Sequence, residues 1–88
     1  MSKYKTGDVV DGDDVVLSEA AGLAWSATMR RAAALCHVYG IPEDKLPEEQ
    51  VRWNADGSLT AFVEIRAPSG GTVVFDMTVP PEHWTWRT

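Results

Sequence analysis

A chain of 88 residues, 44% apolar and 24% charged, can close one hydrophobic core and has no material for a second. Thirteen acids against eight bases give a net charge of -5, and Lys3, Lys5, Arg30, Arg31, Lys45, Arg52, Arg66 and Arg87 are scattered, which disfavours direct nucleic-acid binding. The lone Cys36 excludes an internal disulfide, and no apolar run reaches the length of a membrane span; the expectation is a reduced, cytoplasmic domain without membrane insertion.

The predicted order is a single domain over 1–88, divided into an arm over 1–14, a helix segment over 15–40, an antiparallel sheet over 51–79 and an aromatic tail over 80–88. The arm carries Gly7, Gly12 and four aspartates around Val9-Val10, a composition for a flexible or contact-ordered segment. An alternative for this stretch is a hairpin, with Asp11-Gly12 turning Val9-Val10 back onto Val15-Val16.

Helical signals begin at Ser18, an N-cap residue followed by Glu19 where the helix dipole favours an acid. Alanines at 20, 21, 24, 27, 32, 33 and 34 sustain the helix to about Tyr39, where Gly40 offers a left-handed cap and Pro42 a stop. At 100° per residue, Glu19, Gly22, Ser26, Arg30, Ala33 and His37 form the solvent stripe. The remaining arc is apolar, and the pattern predicts that nearly all of it is covered. Arg31 falls within that arc, so its guanidinium must be paired, escape at the helix edge, or meet a carboxylate or anion from a partner.

Residues 41–50 read as a charged connection in which Pro47-Glu48-Glu49 can start one helical turn. Period-two alternation then appears at 51–53, 59–66 and 72–79, separated by Asn54-Ala55-Asp56-Gly57 and Pro68-Ser69-Gly70-Gly71. Pairing Ile65 with Val73, Val63 with Phe75, Ala61 with Met77, Leu59 with Val79, Trp53 with Leu59 and Val51 with Ala61 keeps one face apolar, whereas a one-residue slip turns it outward. The fold class is therefore α+β, one long N-terminal helix on a three-stranded antiparallel meander, α-β-β-β. Its reverse face carries Arg52, Thr60, Phe62, Glu64, Arg66, Val74, Asp76 and Thr78.

Catalytic and metal patterns are missing. Neighbours Cys36 and His37 diverge by about 100° on a helix and cannot form a nucleophile and base pair. One Cys and two His are too few for a zinc site, and Asp8 to Asp14 lack the alternation of a calcium loop. Ser69-Gly70-Gly71 opens no helix, and Ser18, Ser26, Ser58 and Ser69 have no identifiable base partner. No enzyme, metal or cofactor is expected.

Four tryptophans are a large aromatic content for this length. Trp84 and Trp86 either fold back over the core or act as anchors in a protein interface. The leading expectation is a small non-enzymatic protein-binding module that self-associates as a dimer, using the open sheet face at Phe62, Arg66 and Val74, the tail at Trp84 and Trp86, and Arg31. A first alternative is an acidic inhibitor that fills a basic groove on a nucleic-acid-binding protein, through Asp8 to Asp14 and Glu43 to Glu49. A second is a small-ligand-binding domain with a pocket between helix and sheet.

Overall fold

The computed structural model describes residues 4–87. Its elements are β1 (Val9–Val10), β2 (Val15–Leu17), α1 (Glu19–Val38), β3 (Gln50–Trp53), β4 (Leu59–Arg66), β5 (Thr72–Val79) and β6 (Trp84–Trp86), with short 3₁₀ turns at Gly12–Asp14, Glu43–Lys45 and Pro81–His83. The architecture is α+β with antiparallel sheets.

Side-chain parity sets the register of the central meander. Val51 pairs with Ala61 and Trp53 with Leu59; Leu59, Ala61, Val63 and Ile65 pair with Val79, Met77, Phe75 and Val73. Every inward β4 residue is then buried, with Leu59, Val63 and Ile65 each 1% exposed. Both turns use a glycine at positive φ, Gly57 at 88° and Gly70 at 98°, a backbone state that costs other residues free energy. Asp56 tightens the first turn by accepting from the Ser58 hydroxyl and backbone N–H, and these bonds hold its carboxyl below the usual carboxylate range.

The predicted three strands become six. β1 adds to the edge of β3, giving the order β1-β3-β4-β5, while β2 and β6 pair in a separate ribbon. The hairpin alternative is excluded because Val9-Val10 and Val15-Val16 join different sheets. Residues 15–17 are strand, not helix, and the arm is ordered from Tyr4 onward; its first three residues, like Thr88, lie outside the described residues. In the 41–50 connection the helical turn occupies Glu43–Lys45, upstream of the expected Pro47-Glu48-Glu49.

Ser18 caps α1 by accepting from Ala21 N–H at 3.1 Å. At the other end Ile41 N–H donates to Cys36 C=O and Gly40 N–H to His37 C=O, with Gly40 at φ 70°, a Schellman closure. The stripe Ala21, Trp25, Thr28, Ala32 and Cys36 is buried against the sheet. Ala21 joins Val10, Val15, Leu59 and Val79 in one core cluster, and Ala32 and Cys36 join Val63 and Ile65 in a second. Sheet burial ends there. Ala20, Leu23, Ala24, Arg31, Ala34 and Val38 remain exposed, so the expectation that nearly all of the apolar arc is covered fails. One helix on one sheet contacts a single stripe, and among the described residues no second helix reaches the other flank.

Both ends of the chain fold over the core side of the sheet, next to the helix N-terminus. Trp53 stacks on Trp86 at 6.0 Å, meets Trp84 edge-on at 5.9 Å and lies 6.3 Å from Tyr4, which stacks on Trp86 at 5.6 Å. Trp84 Nε1 also donates to Gly57 C=O at 3.0 Å. Among the described residues, no helix is long and apolar enough to cross a membrane.

Candidate interaction surface

The six predicted interface residues do not form one patch. Phe62, Arg66 and Val74 lie on the reverse sheet face, but Phe62 is only 7% exposed, with the Arg52 guanidinium 4.7 Å from its ring centroid. It is closed off as an anchor by a cation–π cover. Arg66 lines an open hollow with Lys45, Glu64 and Pro68. Trp84 and Trp86 belong to the aromatic cluster on the opposite face. Arg31 lies on the helix flank, where its Nη2 donates to Thr28 Oγ1 at 3.2 Å, so it leaves the core by the edge route. The reverse face that remains is largely charged or hydroxylated.

Besides Val74 and Trp86, which are 50% and 39% exposed, further exposed apolar surface lies along the helix. Ala20, Ala24, Ala27, Arg31, Ala34 and Val38 follow a 4-3-4-3-4 spacing, which places them in one line along α1. Val38 is 76% exposed, and Leu23 at the border of the line is 65% exposed. A groove lined by Ala20, Ala24, Met77 and Thr78 shows that this flank looks toward the β5 side. Val73, Phe75 and Met77 on the inner face of β5 are only half-buried beneath it.

The two sheet edges differ. Along β3 the edge is taken by a two-residue strand, extended by Gly7 N–H to Trp53 C=O at 2.8 Å and Trp53 N–H to Asp8 C=O at 2.9 Å, and then turned away at Asp11. The far edge of β5 pairs with no strand among the described residues. Its eight residues, Thr-Val-Val-Phe-Asp-Met-Thr-Val, include no Lys, Pro or Gly. Short length, charged side chains, proline, bulges or a covering segment usually block such an edge; β5 runs eight residues without proline, in unbroken register with β4, and Asp76 is its one charge.

One polar pairing was not visible in the sequence. Ser18 Oγ lies 2.9 Å from His83 Nδ1, and Ser18 N–H donates to His83 C=O, which corrects the expectation that Ser18 has no imidazole beside it. Sixty-five residues separate the two, so no local motif could reveal it. The hydroxyl is already the helix cap, and among the described residues no acid is bonded to the ring to orient it as a base. This pair clamps the tail to the helix. Ser18→Ala should lower unfolding free energy by about 1–2 kcal/mol, measured by urea denaturation.

Cys36 is buried and His37 exposed, so they do not act together. Among the described residues no group of three or more His, Cys, Asp or Glu is placed to hold a metal ion. A cavity of about 120 Å³ lies between helix and sheet, lined by Val15, Leu17, Trp25, Val51, Leu59 and Ala61, with Glu49 at its mouth. Trp25 Nε1 donates to the Glu49 carboxylate. Space of this order suits at most one small ring. Comparison with protein-family models, characterised proteins and solved structures gives no match.

Proposed function

We propose that the chain is a non-enzymatic protein-binding module whose contact surface is the free edge of β5 together with the exposed alanine-rich flank of α1. The observation that carries this reading is the difference between the two edges: β1 closes one, while eight residues of β5 leave a ladder of backbone donors and acceptors open beside apolar side chains. Strand addition supplies directional hydrogen bonds, and the helix flank supplies apolar area next to them. Both the Phe62 face and the tryptophan tail are set aside, since the first is covered and the second packs on Trp53.

Val74 is half exposed on this edge, so a lysine there projects charge into the contact without entering the core. Proteins captured by the wild-type chain from its native extract should be lost with Val74→Lys and retained with Val9→Lys, a substitution on the opposite edge. Equal capture by wild type and Val74→Lys contradicts the reading.

A second reading is favoured by one observation. Gly12 and Glu49 line the same cavity and Val10 pairs with Val51, which puts the segment carrying Asp11, Asp13 and Asp14 on the same side of the molecule as Glu49. An acidic rim of this kind suits a basic groove on another protein. Raised salt should then abolish capture, whereas contacts through an apolar edge persist.

A further inference from the structure

We infer that the partner at this edge is a second copy of the same chain, added through β5 against β5 so that two four-stranded sheets become one of eight strands. This rests on the edge reading above and names its occupant. The helix lies over β4 and β5. Two β5 strands spaced at about 4.8 Å then carry the two helix axes to about 10 Å apart, at the upper end of ordinary helix packing distances. An identical subunit brings a strand and a helix to matching places at once. The small side chains of Ala20, Ala24, Ala27 and Ala34 leave room for that approach.

Register follows from the side chains. About a two-fold axis, residues facing each other across the new ladder must share a sheet face, so the axis passes through a residue. Centred on Asp76, the pairing sets two carboxylates opposite each other, which is unfavourable. Centred on Phe75, it places Val73 against the second copy's Met77, Phe75 against its own equivalent, Val74 beside Asp76, and Thr72 against Thr78. The inner positions are the half-buried residues that α1 leaves incompletely covered.

An eight-residue strand edge is about 26 Å long and a 20-residue helix about 30 Å. A contact of that length buries on the order of 600 Å² per copy, about 1,200 Å² in total, at the small end of specific interfaces. Area alone sets no affinity, so association is read across the micromolar range. Because each chain carries a charge of -5, and Arg31 lies in both helix flanks, raised salt should strengthen the dimer.

Sedimentation equilibrium of the full chain across the micromolar range tests this, with Val74→Glu on the strand edge, Ala24→Lys on the helix flank and Val9→Lys as control. All three positions are exposed, and thermal unfolding verifies that each variant folds. The wild type and Val9→Lys should reach twice the monomer mass. Val74→Glu, which sets a carboxylate against the second copy's Asp76, and Ala24→Lys should each weaken association at least about tenfold, as lost central contacts do. A wild type that stays monomeric to about 100 µM, or a dimer indifferent to both variants, overturns the inference. If the wild type is monomeric while Val74→Lys still abolishes capture of another protein, the edge reading stands and only the second copy is wrong.

Discussion

Trp53→Ala should lower unfolding free energy by about 3 kcal/mol, a large share of the roughly 5–15 kcal/mol available to a small domain. Trp53 is the shared partner of Tyr4, Trp84 and Trp86, and it packs against the cluster containing Leu59 and Val79. Removing it leaves a space bounded by Tyr4, Trp84 and Trp86, side chains from both terminal segments. Urea denaturation followed by near-ultraviolet circular dichroism reads the effect. A loss below about 1 kcal/mol, within the range of ordinary surface changes, contradicts this packing.

The same cluster sets the second expectation. Trp84→Ala removes an indole that meets Trp53 and Trp86 and donates to Gly57 C=O, so stability should fall by about 2–3 kcal/mol from lost burial and one hydrogen bond. Protein capture should survive in whatever fraction remains folded. The combined Trp53→Ala, Trp84→Ala variant should lose less than the two single losses added, because each removes the contact between them. Unchanged stability together with lost capture would return Trp84 to the role of an interface anchor.

These packing relations were partly legible in the sequence. Ser18 and Gly40 mark the helix ends because caps act within a few residues, and the β4 pairings follow from parity over eight positions. β1, β2 and β6 hold two or three residues each, too few to show a period, and their partners are 41 to 71 positions away in the chain, as with Val10 and Val51 or Val15 and Trp86. The reverse face was identified correctly, yet its most apolar member is covered by Arg52, a long side chain whose direction no pattern encodes. Alanine enrichment along α1 predicts that nearly all of the apolar arc is covered. A lone helix covers one stripe of a sheet, so the rest of that enrichment faces outward beside β5.

The free edge itself can be read by hydrogen exchange resolved by NMR, with the chain at low and at high concentration. Alternate backbone amides of Thr72–Val79, those pointing away from β4, should exchange rapidly when dilute and slow as concentration rises, with β1 amides unchanged. Slow exchange at those positions at every concentration would mean that the edge is already closed within one chain. Fast exchange at every concentration would leave β5 open and without a second copy.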